Sequence, residues 1–125
     1  MKNVILIAAA GAAGTLSRYG LSALVHSIMG HDFPWGTFIV NILGCFLFGF
    51  IWSLEEHHLA LGPQTRVIIL TGFMGAFTTF STFIFENNQL LSTSQWIQLA
   101  ANLMLQILIG LVALAGGIYI ARMVL

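Results

Sequence analysis

Charge is what this chain has least of. Four Lys/Arg and four Asp/Glu make up 6% of the 125 residues and cancel, against about 25% charged in an ordinary soluble domain. No basic run is available to hold a nucleic acid or an anionic membrane surface. The one cysteine, Cys45, excludes an intrachain disulfide and reads as a small packing residue within an apolar run. Catalytic signatures are missing as well. There is no Ser-His-Asp or Cys-His set, no metal-ligand spacing and no glycine-rich phosphate loop, so an enzyme is not expected. His31-Asp32 and Glu55-Glu56-His57-His58 are consecutive residues that do not converge on one ion, and they read as solvated connections.

What is present is apolar length. Hydrophobic residues make up 58% of the chain, and at roughly 20 apolar residues per span there is room for about four transmembrane helices and little else. The expectation is an all-α multi-pass membrane protein, a single domain over residues 1–125 with spans at about 3–25, 35–54, 66–91 and 96–123. Lys2 followed by apolar residues and the tract Ala8–Ala13 imitates a signal peptide, but the helical pattern continues to Val25 and favours a first span. Trp35, Trp52, Trp96 and Tyr119 fall where interfacial aromatics belong.

Every span carries a small or polar stripe. In the first it is Gly11, Gly14, Thr15, Arg18 and Ser22, and in the second Thr37, Asn41, Gly44, Cys45 and Phe48. The fourth has Asn102, Gln106, Gly110, Ala113 and Gly117. Arg18 admits two readings, a snorkelling side chain that supports packing or a direct contact with a transported anion. Asn41 taken alone reads as an interhelical hydrogen bond.

The third span holds the stretch that needs most explanation. Gly72–Phe83 packs two glycines, four hydroxyls and four phenylalanines into twelve residues at mid-span. In hydrocarbon every backbone polar group must be satisfied internally, so this composition predicts a helix interrupted around Gly75–Thr79 and lining something other than lipid. Freed carbonyls around Gly75 to Thr78 suit a small cation, or are satisfied by the neighbouring hydroxyls. Glu86, followed by Asn87, Asn88 and Gln89, marks either a pore mouth or the approaching helix end.

A single bundle has too little interior to bury four polar faces, which predicts at least a dimer with the third-span break at or near the shared interface. Lys2, Arg66 and Arg122 would lie on one side of the membrane, a bias of only three charges and therefore weak. The spans offer neutral donors beside phenylalanine rings, whose edges are electropositive. Together these make a weakly charged path for a small anion.

Three motifs carry a family resemblance along nearly the whole chain: Gly11-Ala-Ala-Gly14 with Arg18-Tyr19; Gly36-Thr37-Phe38 leading to Asn41 and Gly44; and Gly72–Phe83 with Glu86. The chain resembles the Fluc (CrcB) family of fluoride channels. That resemblance implies passive fluoride export across the cell inner (plasma) membrane, by an antiparallel dual-topology homodimer with two pores in membrane lipid. It implies a central structural Na⁺ held by the backbone carbonyls of Gly75 and Thr78. It further implies Phe80 and Phe83 as the aromatic box, Asn41 as the amide donor, and Thr37, Ser81 and Thr82 as part of the polar path, with Arg18 and Glu86 near the pore mouth. A small multidrug-type exporter needs a carboxylate in its first span, and this chain has none there. A non-transporting assembly subunit would leave the Thr-Thr-Phe-Ser-Thr-Phe density unexplained.

Overall fold

The computed structural model describes residues 1–57 and 62–124. His58, expected in the second connection, lies outside them, and of His57 only the backbone is described. Helix α1 (Lys2–Met29) exceeds its expected span at the far end and stops where Gly30 turns to φ 81°, its N–H returned to the His26 carbonyl. Helix α2 (Trp35–His57) starts after Pro34, whose carbonyl accepts the Phe38 N–H. The third span opens with Pro63 at the first position of α3 (Pro63–Arg66), where its missing N–H is not needed. It continues as a π-helical stretch, Val67–Met74, then α4 (Gly75–Phe77), an interruption, and α5 (Phe80–Ser92). After a turn in which Ser94 takes φ 56°, α6 (Trp96–Val124) returns across the bundle.

Among the described residues four segments are long and apolar enough to cross a membrane: Lys2–Met29, Trp35–Glu56, Pro63–Ser92 and Trp96–Val124. Their antiparallel order puts Lys2, Arg66 and Arg122 at one end. There Arg66 pairs with Glu55 at 3.3 Å and stacks on the Trp52 ring, its guanidinium carbon 3.9 Å from the centroid. Gln64 also bonds Asn3 at that end.

Packing follows the small-residue stripes, because lipid supplies no hydrophobic drive between helices and close backbone approach has to replace it. Helix α6 lies along α2. A Cβ at Gly117 would strike the Phe46 carbonyl and lie 2.9 Å from the Phe50 nitrogen, so only glycine admits this approach. The stripe expected on the fourth span is buried at Asn102, Gln106, Gly110 and Gly117. Helix α1 packs against the π-helical stretch and α4. The buried core joins Val40 of α2 to Leu70, Met74 and Phe77 of the third span.

The helix breaks within the expected Gly75–Thr79 interval, at its far end. Gly75 is helical, with φ −63° and ψ −30°, and the chain first extends at Thr78 (ψ 160°) and Thr79 (φ −150°, ψ 118°). The cause is a set of partners for the freed backbone rather than glycine flexibility.

Candidate anion site at the helix break

Asn41 of α2 makes the break possible. Its Oδ1 accepts the Thr79 N–H at 2.9 Å and its Nδ2 donates to the Thr79 carbonyl at 3.2 Å. The carboxamide thereby takes up the N–H that Thr79 withdraws from the preceding helix, as membrane depth requires, and adds a second donor to the Thr79 carbonyl, which as the N-cap of α5 serves that helix too. A Cβ at Gly44, one turn along α2, would collide with Thr78 Cγ2, so the break seats on a glycine. The Thr79 side chain then caps α5. Its Oγ1 accepts the Thr82 N–H at 3.3 Å and lies 3.0 Å from Thr82 Oγ1 and 3.4 Å from Ser81 Oγ. On the other side of the break, Thr78 Oγ1 donates to the Met74 carbonyl at 3.1 Å, and Arg18 Nη1 donates to the Thr78 carbonyl at 3.3 Å. Because the Thr79 N–H goes to Asn41, the Gly75 carbonyl loses the donor that a continuous helix would send it.

Two cavities adjoin this segment and a third lies further along α5. One of about 340 Å³ is lined by Asn41, Phe80, Phe83 and Gln106, among others. The two rings stand 5.9 Å apart at 48°; Phe83 is buried, whereas Phe80 is 74% exposed. A second cavity, about 430 Å³, includes Arg18, His26, Thr37 and Thr82. Thr79 walls both, so the extended residue is the partition between them. A third, about 280 Å³, takes His26 and Glu86. Thr37 links the last two, its hydroxyl donating to Glu86 Oε1 at 2.6 Å. The other carboxylate oxygen, Oε2, is buried and has no partner among the described residues.

The structure divides the residues expected along an anion path. Asn41, Phe80 and Phe83 share the first cavity. Thr37 and Thr82 line the second, in company with Arg18, and Glu86 lines the third. Ser81 lines none of the three, and its side chain is exposed. Gly75 is exposed at the surface beside the break. Arg18 stands at mid-span on the Thr78 carbonyl. These residues therefore supply neutral amide and hydroxyl donors, ring edges, the Arg18 guanidinium and, in the third cavity beside Asp32, the Glu86 carboxylate.

Two side chains go beyond the sequence reading. Gln106, only a polar candidate of the fourth span until its partners were known, accepts the Asn41 Nδ2–H at 2.8 Å. Asn87, read as reinforcing an approaching helix end, is 6% exposed; it donates to the Phe83 carbonyl at 2.8 Å and accepts from Asn102 at 3.0 Å. Its position four residues after Phe83, on the face turned to α6, was the available signal.

The family model described as CrcB-like protein, Camphor Resistance (CrcB), matches residues 5–118. The chain is 54% identical over 124 residues to a fluoride-specific ion channel FluC from Solidesulfovibrio magneticus, covering 99% of each chain. It is 55% identical over 118 residues to the protein of the same name from Nitrosococcus oceani, covering 94% of each. With a third, from Nitratidesulfovibrio vulgaris, it shares 50% identity over 124 residues, covering 99% of this chain and all of the relative.

Proposed function

This chain belongs to the CrcB-like family of multi-pass membrane proteins, and from that membership and the site at its helix break we propose that it is a fluoride-selective channel. Fluoride leaves the cytoplasm passively, through the inner (plasma) membrane. The observation that carries this reading is the convergence of the Asn41 carboxamide with Phe80 and Phe83 on one cavity at membrane depth. Neutral donors and ring edges hold a small anion without trapping it, which conduction requires. The hydroxyls of Thr37, Ser81 and Thr82 extend the donor series, and Arg18 and Glu86 set the charge along its flank.

The functional unit in this reading is an antiparallel homodimer. Phe80, Ser81, Thr82 and Gly75 are all exposed at mid-span, and hydroxyls facing lipid at that depth are costly. A second copy laid against this face covers them. A structural Na⁺ at the dimer centre fits the chain in part. The Gly75 carbonyl lacks its helical donor, as a cation ligand should, whereas the Thr78 carbonyl already accepts from the Arg18 guanidinium. Gly75 would hold the ion, with Thr78 joining once Arg18 shares its bond, and the ion would neutralise carbonyls clustered between the two copies.

The test is efflux from liposomes reconstituted with the purified chain. Rapid fluoride release with little chloride release is expected, and vesicles that hold their fluoride would overturn the proposal. Tagging both termini for sidedness in cells tests the antiparallel arrangement, since a single orientation for every copy contradicts it.

A further inference from the structure

Asn41 has no proton to spare. An amide nitrogen carries two, and here one goes to the Thr79 carbonyl and the other to Gln106 Oε1. An anion arriving in the cavity must therefore displace one partner. The Thr79 bond is half of a two-bond clasp on a backbone group that cannot move without undoing the break. Gln106 is a side chain on another helix and faces the same cavity; it is the partner that can yield.

Gln106 is also held in one orientation. Its Nε2 donates to Asn102 Oδ1 at 3.1 Å, Asn102 Nδ2 donates to Asn87 Oδ1 at 3.0 Å, and Asn87 Nδ2 donates to the Phe83 carbonyl at 2.8 Å. A backbone carbonyl only accepts, so the far end of this chain fixes the direction of every amide in it. Asn102 is fully buried and Gln106 is 9% exposed, which leaves neither free to turn to water. The side chain that meets Asn41 consequently presents its oxygen, an acceptor competing for the proton an anion would use.

Resting on the channel reading, we propose that Gln106 determines specificity: its amide oxygen occupies the Asn41 donor, and only an anion that accepts a hydrogen bond more strongly than an amide displaces it. Fluoride concentrates its charge on a small ion and meets that threshold through a short charge-assisted bond. Chloride spreads the same charge over a larger ion and does not. Asn102 and Asn87 are positioning residues that set the height of the threshold.

The test compares fluoride and chloride efflux from phosphatidylcholine–phosphatidylglycerol vesicles carrying the wild-type chain or Gln106→Met, which keeps length and removes the competing acceptor. Dehydration of each ion is common to both proteins and cancels in the comparison. The expected result is a fall of about tenfold in the fluoride-to-chloride ratio through faster chloride release, in line with one hydrogen bond. A ratio within about twofold of wild type, or one lowered only by lost fluoride flux, overturns the proposal; the ~1.4 kcal/mol behind a tenfold change is the scale. If Gln106→Met does not elute as the wild type does, Asn102→Leu, which releases Gln106 from its tether, carries the same prediction with a smaller fall. A second measurement reads the competition directly, in the side-chain amide proton resonances of Asn41 in detergent. They should respond to NaF and not NaCl in the wild type, and to both in Gln106→Met; equal responses in the wild type overturn the proposal. Wild-type vesicles that release no fluoride would sink the channel reading itself, while the resonance titration still decides the role of Gln106.

Discussion

Changing Asn41 to Asp alters one group and leaves the shape of the site intact, which makes it the sharpest probe of the break. Asp keeps an oxygen for the Thr79 N–H, now 2.9 Å from Asn41 Oδ1. The second oxygen, standing where Nδ2 was, meets the Thr79 carbonyl at 3.2 Å and Gln106 Oε1 at 2.8 Å with no proton between them. Two hydrogen bonds are lost, each with a net contribution of about 1 kcal/mol. The larger effect falls on the anion. A carboxylate about 4 Å from a fluoride ion costs roughly 4 kcal/mol at an effective dielectric constant near 20, and at about 1.4 kcal/mol per decade that is nearly a thousandfold. Fluoride efflux from vesicles carrying Asn41→Asp should therefore fall by two to three orders of magnitude (~100- to 1000-fold), while size-exclusion elution stays that of the wild type. Efflux within about tenfold of wild type would refute the placement of the anion beside Asn41.

Other outcomes test separate parts of the molecule. Phe80→Ile, which removes an electropositive ring edge from the cavity wall, should suppress fluoride efflux without changing elution; undiminished flux would move the anion path away from this ring. Thr37→Val removes the hydrogen bond to Glu86 Oε1, and Oε2 already has no partner among the described residues. A loss of about 1–3 kcal/mol in resistance to denaturant is expected, together with slower efflux. Gly117→Ala drives a methyl into the Phe46 carbonyl and should cost about 1–3 kcal/mol by forcing α2 and α6 apart. Its neighbour Gly116 has open space at the same atom, so Gly116→Ala should be near neutral in the same unfolding assay. If Na⁺ sits between two copies at Gly75, purification with N-methylglucamine in its place should lower the dimer's thermal stability, and identical melting would remove the ion.

Much of the architecture was legible because membrane spans report themselves by length. Helices α1, α2 and α6 all began within a residue of where apolar runs and flanking prolines or tryptophans put them, though α1 and α2 ran on by three or four residues. The glycine and amide stripe of the fourth span was readable from helical spacing, and its burial along α2 follows from the close approach that small residues permit. The composition of Gly72–Phe83 announced a break for the same kind of reason: hydroxyls that dense at mid-span need a job other than facing lipid.

Where the break falls was a different matter. The interval Gly75–Thr79 was readable as interrupted, yet Gly75 itself stays helical, and the chain opens at Thr78 and Thr79, where a carboxamide 38 residues away meets the freed backbone. Periodicity along one helix says which face a residue shares, and nothing about which partner stands opposite. That is why Gln106 and Asn87 could be named as polar residues but not joined to Asn41 and Phe83. Apolar length and helical spacing suffice for four spans, an interrupted third helix and a supply of neutral donors. Which of those donors are already occupied emerges in the folded bundle alone, because a hydrogen bond between helices is set by their relative register, and in membrane helices that register depends on glycine contacts between segments far apart in the chain.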